Sequence, residues 1–319
     1  MGFRSLKYAL SEPGPGGLPI RRLATWTESA RSGSLCRMKI VRPASLAEFV
    51  DLAAPFLSRH EAEHGLMLGV AMAAPTPAAD AYWGLAIDGS SVAAAALRTD
   101  TKLILSREGA PGAIAALAAD AASARNQQIL GPAASVDRFA IATGHPWSAV
   151  MSQGIYECRD VVVPSSVPGI RRLARAEDRE LLSEWLRRLA SEALGEEVTG
   201  EDAIGRVDGH MSRCSLHVWD GGGRAVAVAA AVAPTPHGIR INNVYTPPEL
   251  RGRGYAGALV AALTQNVLDS GRQFAFLHTD LSNPTSNALY VRIGYRRVAE
   301  LQVRRPGGEA NQEEAAKLS

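Results

Sequence analysis

The chain has 319 residues, of which 46% are hydrophobic and 21% are charged, and its formal net charge is +2. These values are typical of a soluble globular protein, and the length is large for one hydrophobic core and suits two domains. No apolar run is long enough to cross a bilayer, so we expect no membrane partner. The three scattered cysteines, Cys36, Cys158 and Cys214, indicate neither a disulfide framework nor a cysteine-based zinc site, and they favour a reducing cytoplasm.

Residues 1–37 differ from the rest of the chain. They contain three prolines, a cluster of glycines, and six Lys/Arg residues against two acidic ones, and they lack the apolar stretch of a secretory signal. We predict an unfolded tail or an upstream extension, with the folded protein beginning at Met38. The remaining chain is slightly acidic and lacks a basic stripe, so we expect no nucleic-acid partner.

An internal repeat indicates the domain organisation. Residues 40–44 lead into a predicted helix that ends near Gly65, and its start carries a capping-box pair of Ser and Glu. A shift of 130 residues brings residues 170–174 and a second predicted helix, ending near Gly195, into the same places.

Residues 164–169 between the two copies have the Pro, Ser and Gly content of a linker. We therefore predict one unit in residues 38–167 and a second in residues 168–305, followed by a flexible tail in residues 306–319.

Residues 60–64 read His-Glu-Ala-Glu-His, which matches the zinc-metalloprotease pattern of two imidazoles on one helix face with a glutamate between them. Gly65 would end this helix at once, and the sequence indicates no third ligand. A polar helix end at a domain surface is the favoured interpretation. A zinc peptidase built on His60 and His64 is the minor alternative.

Residues 244–256 show the pattern of a phosphate-binding turn, because a β-branched strand end is followed by two prolines, an Arg/Gly-rich turn and a helix. Gly252 and Gly254 permit backbone conformations that are closed to other residues, and they let a ligand approach closely. The helix directs unpaired N–H groups and the positive end of its dipole into the same space. We predict that an anion binds there and that Arg251 and Arg253 contact its phosphate oxygens.

A second pattern follows this helix. Residues 274–279 form an apolar, strand-like run, and residues 296–304 read as a last strand. In this order the sequence closely resembles the GNAT N-acetyltransferase superfamily. The acyl-CoA signature of that family is matched by Arg251, Gly254 and Ala256, and its downstream pattern by Asn283, Ala288, Leu289, Tyr290, Gly294 and Tyr295.

The resemblance implies an α/β fold of two tandem GNAT-like domains, each with a mixed central sheet flanked by helices. It also implies acetyl-CoA as co-substrate and no metal. The turn would hold the pyrophosphate of coenzyme A through backbone N–H groups, and the strand before it would bond the pantetheine arm through its main chain. The cofactor-binding residues that the resemblance implies are Val244, Tyr245, Thr246, Arg251, Gly252, Arg253, Gly254, Tyr255, Ala256, Gly257, Asn283 and Ser286.

The same resemblance implies direct transfer, most simply of an acetyl group, to a small-molecule or peptide amine. A backbone N–H near Tyr245 would stabilise the oxyanion. Tyr290 would stand beside the thioester sulfur. Its phenol has an ordinary pKa of about 10, so it is protonated at neutral pH and can act as the general acid for the departing thiolate. A role as a core aromatic is the alternative for Tyr290.

The sequence indicates no single general base. Acidic side chains and a histidine lie in the segment where the resemblance places the acceptor pocket, and they indicate an acidic rim that suits a cationic amine. A solvated helix face is the alternative interpretation of these charges. The candidates are Glu192, Glu196, Glu197, Asp202 and His210.

The first copy lacks features of the second. In residues 107–112, Ala110 stands where the second copy has Gly254, Glu108 adds negative charge, and Pro111 removes an N–H donor. We predict a degenerate copy that does not bind coenzyme A well.

Besides the zinc peptidase, two functions stay open. The leading one is an acyl-CoA-dependent N-acyltransferase, most simply an N-acetyltransferase. The alternative is a non-catalytic acyl-CoA-binding module that uses the tandem as a sensing or interaction surface.

Overall fold

A computed structural model describes residues 38–73, 81–99, 101–121, 127–165, 167–195 and 197–307. The predicted amino-terminal tail lies outside these ranges, and so does all but the first two residues of the predicted carboxy-terminal one. None of the helices in the described ranges is long and apolar enough to cross a membrane.

The first series of elements follows the order strand, two helices, three strands, helix, strand, helix, strand. Its elements are β1 (Lys39–Val41), α1 (Leu46–Leu57), α2 (Gly65–Ala73), β2 (Trp83–Asp88), β3 (Ser91–Arg98), β4 (Lys102–Leu105), α3 (Ala113–Asp120), β5 (Gln128–Pro132), α4 (Ala133–Thr143) and β6 (Trp147–Cys158).

The second series repeats this order. Its elements are β7 (Ile170–Leu173), α5 (Arg179–Leu194), α6 (Gly200–Ser212), β8 (Leu216–Asp220), β9 (Ala225–Val232), β10 (Gly238–Tyr245), α7 (Tyr255–Asp269), β11 (Phe274–Asp280), α8 (Pro284–Arg292) and β12 (Arg296–Pro306). The repeated order confirms the mixed α/β class and the tandem arrangement predicted from the sequence. Strand β12 ends two residues beyond the predicted end of the last strand and one residue beyond the predicted end of the second unit.

The described strands form one mixed sheet of twelve, in the order β1-β2-β3-β4-β5-β12-β6-β11-β10-β9-β8-β7. The last strand of each series is exchanged: β6 pairs with β11 of the second series, and β12 pairs with β5 of the first. Strands β6 and β12 also pair with each other along most of their length. The two series therefore share a continuous backbone hydrogen-bond network.

The helices divide between the two faces of this sheet. Helices α1 and α2 pack on the same face as α5 and α6, and helices α3, α4, α7 and α8 cover the other. The alternation of side chains along β11 shows this division. Phe276 belongs to the core beneath α1 and α2, whereas Ala275 and Leu277 belong to the core beneath α7.

Helix α2 of the first series packs closely against strands of the second. A Cβ added at Gly65 would lie 2.3 Å from the ring of Phe276 on β11, and one added at Gly69 would lie 2.6 Å from the Cβ of Ala233 beyond β9. Only a residue without a side chain allows this approach.

The predicted helix through residues 60–64 is wrong. Helix α1 ends at Leu57, a 3₁₀ turn covers Ser58–His60, and Gly65 begins α2 instead of ending a helix. His64 is buried, with Nδ1 2.8 Å from the carbonyl of Leu57 and Nε2 accepting from the N–H of Arg107. Both ring nitrogens therefore have protein partners, and no group of three or more metal-ligating side chains occurs in the described ranges.

Glu61 from this turn connects the two series. Its carboxylate accepts from the hydroxyl of Thr235 at 2.6 Å and from the backbone N–H groups of His237 and Gly238, and it contacts the ring of His237 at 2.7 Å. Burial acts to raise the pKa of Glu61, but these hydrogen bonds outweigh it, so the pKa lies below its ordinary value.

Substitution of Gly69 tests the packing of α2. We expect Gly69→Ala to lower the free energy of unfolding by about 1–3 kcal/mol because its methyl group overlaps Ala233. Gly205→Ala in α6 is the matched control, since a Cβ there meets nothing within 4 Å and should gain about 0.5–1 kcal/mol of helix stability. Urea denaturation measures both, and equal effects would contradict the close contact.

Glu61→Gln tests the contact between the series. We expect it to lower the free energy of unfolding at pH 7 by about 1–3 kcal/mol, because buried donors lose a charged acceptor. Since the pKa of Glu61 is lower in the folded chain, its contribution is present above the unfolded pKa of about 4.3 and is lost as the pH falls through the folded value.

The stability difference between wild type and Glu61→Gln should therefore shrink below about pH 4. Exposed Glu300→Gln is the control and should change stability little at any pH. A difference that stays constant from pH 7 to pH 3 would count against the contact.

Candidate active site

The turn between β10 and α7 presents a row of unpaired backbone N–H groups. After a 3₁₀ turn at Pro248–Leu250, Gly252 and Gly254 adopt φ values of 78° and 81°, and Gly254 caps α7 in the left-handed conformation. The first intrahelical bond is donated by Ala258 to Gly254. Within the described chain, the six consecutive N–H groups of residues 252–257 have no hydrogen-bond partner. This row defines the amide cradle, which includes Arg253, Tyr255, Ala256 and Gly257.

The cradle suits an anion on electrostatic grounds. The 15-residue helix α7 directs the positive end of its dipole into the turn. Residues 251–254 are exposed to solvent, so a ligand can reach the N–H groups. The geometry is that of a phosphate site formed mainly by the main chain.

The structure places the two arginines of the turn differently from each other. The guanidinium of Arg251 donates to the carbonyl of Thr246 at 2.9 Å and to the carboxylate of Glu192 at 2.6 Å. It thus holds the turn against helix α5. Among the residues that the structure describes, Arg253 contacts only the carbonyl of Glu249, at a long distance of 3.4 Å.

Strand β10 parts from β11 before it reaches the cradle. The two strands pair in parallel only at residues 238–240 and 274–276. A register shift toward β9 follows between Asn242 and Tyr245, and Asn243 has a φ of 52°. Residues 242–246 therefore border a gap in the sheet.

The predicted strand residues line this gap. Val244 packs against the core beneath α7, and the buried Tyr245 donates its hydroxyl to Glu192 at 2.9 Å. The hydroxyl of Thr246 is buried and has no partner within the described ranges. A group bound in the gap could supply that partner.

Asn283 and Ser286 lie at the start of α8. Asn283 is its N-cap and accepts the N–H of Ser286 at 3.0 Å, so its side chain stabilises the helix. The neighbouring Asn287 was not predicted, although it links three elements: it donates to the carbonyl of Asp280 and accepts from the hydroxyl of Tyr156 on β6.

Tyr290 of α8 is buried, and its hydroxyl has no hydrogen-bond partner in the described chain. Burial raises its pKa to about 12, so the phenol stays protonated throughout the neutral range. The ring of Tyr295 lies 6.0 Å away, and the hydroxyl of Tyr295 is bonded to Thr264 at 2.6 Å. Of these two tyrosines, only Tyr290 has a hydroxyl without a hydrogen-bond partner in the described chain.

The candidate bases differ in their contacts. Burial acts to raise the pKa of Glu192, but hydrogen bonds from Arg251 and Tyr245 outweigh it, so the pKa is lowered. Asp202 accepts from the hydroxyl of Thr199 at the start of α6. Glu196 lies outside the described residues, and Glu197 makes no hydrogen bond within them.

His210 is the candidate base that contacts the bulge of β10. Its Nε2 lies 3.0 Å from the side-chain nitrogen of Asn243 at the bulge, and its Nδ1 lies 2.9 Å from the hydroxyl of Ser215. Burial, with a smaller effect from Arg213, lowers the pKa of His210. A neutral imidazole is therefore held beside the gap.

Two polar residues on the strands were missed by the sequence analysis. Arg240 on β10 and His278 on β11 each have a buried nitrogen without a partner in the described ranges. A charged residue within a strand of mostly apolar neighbours was the available signal for Arg240.

The corresponding turn of the first series is arranged differently. Helix α3 begins after Gly112, which has a φ of 88° and takes the place of Gly254. The predicted alignment, with Ala110 in that place, is wrong by two residues because α3 starts later. The N–H of Ile114 is bonded to the carboxylate of Glu108 at 3.0 Å, and Pro111 has no N–H.

Only three N–H groups stay unpaired at the six matching positions of the described first series, residues 110–115. The other oxygen of Glu108 contacts Arg138 at 2.8 Å. A cleft of about 400 Å³ lies beside this turn, lined by Arg107, Glu108, Arg138 and the start of α4. The first series therefore holds a carboxylate of its own where the second holds an open cradle.

Comparisons with known proteins agree with this geometry. Residues 222–304 match the family described as FR47-like protein, and a comparison with curated proteins gives no significant sequence match. A GCN5-related N-acetyltransferase from Sphaerobacter thermophilus is 18% identical, with a TM-score of 0.57 over 85% of this chain and 97% of its own.

Two further solved structures are similar in fold. A GNAT-family acetyltransferase from Colwellia psychrerythraea is 11% identical, with a TM-score of 0.52 over 84% of this chain and 99% of its own. A tandem GNAT protein from the clavulanic acid biosynthesis pathway is 16% identical, with a TM-score of 0.54 over 86% of this chain and 100% of its own. These likenesses establish the fold predicted from the sequence.

Proposed function

Because this chain has the tandem GNAT fold and its residues 222–304 match the FR47-like family, we propose that it is an acyl-CoA-dependent N-acyltransferase. Acetyl is the simplest acyl group, and the acceptor is a small-molecule or peptide amine. The observation that carries this proposal is the amide cradle, since six unpaired N–H groups at a helix N-terminus suit a pyrophosphate.

The residues along the gap fit the rest of coenzyme A. The unpartnered Thr246 hydroxyl and the main chain of Val244 and Tyr245 border the space that the pantetheine arm would occupy. Asn283 and Ser286, at the start of α8, would approach the arm from the other side. Arg251 acts here by fixing the turn against Glu192, and the N–H groups supply the contacts with phosphate.

Transfer requires little covalent chemistry from the protein. The amine nitrogen attacks the thioester carbonyl, and a backbone N–H near Tyr245 stabilises the charge that develops on oxygen. The carbon–sulfur bond then breaks, and Tyr290 donates its phenolic proton to the sulfur as it leaves. The raised pKa of about 12 keeps this proton on Tyr290 at any physiological pH.

The incoming amine must lose a proton before or during its attack. His210 is the best-supported acceptor among the candidates, because it is neutral and contacts the bulge through Asn243. Glu192 is less suited, since its hydrogen bonds with Arg251 and Tyr245 stabilise its charged form.

We propose that the first series, residues 38–167, is a degenerate copy and that residues 168–305 form the catalytic domain. The carboxylate of Glu108 supports this division, because it takes an amide of α3 that a phosphate would need. We also propose that this enzyme works in the cytoplasm, on acetyl-CoA and an amine, with no nucleic-acid partner.

A non-catalytic acyl-CoA-binding module is the second candidate. Such a protein would bind the coenzyme in the same cradle and release no thiol with any amine. The hydroxyl of Tyr290 favours the enzyme, because it makes no hydrogen bond with the described chain and stays protonated, so it is free to donate to a leaving sulfur.

Substitutions in the cradle test coenzyme binding. We expect Gly252→Val and Gly254→Val each to weaken acetyl-CoA binding at least about tenfold, because a β-branched residue cannot keep the positive φ that aims the N–H groups. Isothermal titration calorimetry measures the affinity.

Gly112→Val is the matched control, since it imposes the same backbone strain on the first-series turn. It should leave acetyl-CoA affinity unchanged. Undiminished binding in the Gly252 and Gly254 variants, or an equal loss in the Gly112 variant, would refute the assignment of the cradle.

Tyr290→Phe tests the general acid. We expect kcat to fall by about 10²- to 10⁴-fold with acetyl-CoA affinity unchanged, measured by thiol release with a panel of amines. Tyr295→Phe is the control, because it removes a structural hydroxyl bonded to Thr264. It should lower the free energy of unfolding and change kcat little. An unchanged kcat in Tyr290→Phe would remove acid catalysis from the mechanism.

A further inference from the structure

Arg240 on β10 carries a positive charge that no acidic side chain of the described chain neutralises. Its side chain makes no hydrogen bond or ion pair there, and its Nε is buried without a partner. Burial lowers its pKa to about 10, so the guanidinium stays charged at neutral pH. Arg172 on β7, another partly buried arginine, contrasts with it, since Arg172 contacts both Asp178 and Asp220.

His278 on β11 lies on the same face of the sheet as Arg240. Arg240 is opposite Phe276 in the parallel pairing, and His278 is the next residue on that face, with its ring 6.2 Å from the ring of Phe276. Its Nε2 is buried and unpartnered in the described ranges. Burial, and then the charge of Arg240, lower the pKa of His278 well below its ordinary value, so the ring is neutral.

The two side chains lie where the strands begin to part. Backbone pairing of β10 with β11 ends at Arg240 and Phe276, directly before the gap that borders the candidate site. The same face is covered by α2, whose Gly65 touches Phe276, and by the helices α5 and α6. Arg240 and His278 thus lie at the inner end of the gap, on the side where His210 contacts β10.

Arg240 is only partly buried, so its guanidinium keeps some contact with water although its Nε has no partner in the described ranges. Removing this charge fully from water, when a substrate fills the gap, costs free energy unless an opposite charge accompanies it. The phosphates of a coenzyme cannot serve here, because the amide cradle lies at the other end of the gap, beyond Thr246. The pantetheine arm is neutral. The missing partner is therefore an anionic group of a substrate that reaches the reacting end of the gap.

We propose that Arg240 and His278 bind a carboxylate group of the substrate, so that this enzyme acts on a molecule carrying a carboxylate close to the reacting amine or acyl group. A guanidinium presents several N–H donors to the two oxygens of a carboxylate, and a neutral imidazole can add one more. The carboxylate belongs either to the amine acceptor, as in an amino acid, or to a dicarboxylic acyl group such as succinyl. This inference rests on the proposed acyl transfer.

The test compares matched ligands by binding and by turnover. Thermal shift in the presence of coenzyme A uses N-acetyl derivatives of the common amino acids and their neutral C-terminal amides. Thiol release compares the free amino acids with their amides, using acetyl-CoA, and then compares succinyl-CoA with acetyl-CoA on simple alkylamines. The proteins are wild type, Arg240→Gln, Arg240→Lys, and Arg296→Gln as an exposed arginine control on β12.

We expect the free acids to bind wild type about ten- to a hundredfold more tightly than the amides, and Arg240→Gln to abolish this preference. Arg240→Lys should keep part of it and Arg296→Gln all of it. A preference for amino acids identifies the acceptor as the source of the carboxylate, and a preference for succinyl-CoA identifies the acyl group. Equal behaviour of acids and amides, together with equal behaviour of succinyl-CoA and acetyl-CoA, overturns the proposal.

Failure of this inference is distinguishable from failure of the acyltransferase. One such result is thiol release that occurs only with acetyl-CoA and with amines that carry no carboxylate, and that Arg240→Gln leaves undiminished. That result would retain the acyltransferase assignment and overturn the carboxylate site. Ligand-free stability gives a further readout: removal of an unpaired charge by Arg240→Met should leave the melting temperature unchanged or raise it. A clear fall would instead assign Arg240 a structural role and overturn the proposal.

Discussion

Strands β10 and β11 share only three residue pairs and separate beyond Arg240. This separation opens the gap on which the candidate site depends. A continued ladder would fill the gap with backbone hydrogen bonds and leave no room for a ligand. The bulge at Asn243 turns the chain outward, at the cost of a left-handed conformation for a residue with a side chain. The contact of Asn243 with His210 helps to hold that conformation.

The first series has no open amide cradle of its own, but its packing and hydrogen bonds support the second series. Helix α2 packs over β11 through glycines, and the carboxylate of Glu61 holds the connection between β9 and β10. That connection leads directly into the strand that carries Arg240. The two series therefore differ at their corresponding turns, but the position of β10 depends on contacts from both.

The turn that forms the amide cradle could be predicted because its signals are local: glycines, prolines and an apolar helix period lie close together in sequence. The partners of its side chains could not, since Arg251 meets Glu192 across 59 positions of sequence. Gly65 was assigned to a helix end because glycine is common there, and the sequence did not show that it begins α2. Arg240 lies upstream of the strand end predicted at residue 244, on a strand that the structure extends back to Gly238. Periodicity does not indicate which charged residue lacks a partner.

The exchange of β6 and β12 affects how the chain can assemble during synthesis. Both neighbours of β6 belong to the second series, so a nascent chain carries this strand with two open edges until β11 and β12 have left the ribosome. Domain-by-domain folding, the usual route for long chains, cannot complete the first series. The eleven residues of β12 close the sheet last, because they lie between β5 and β6 and are the final strand of the chain to be made.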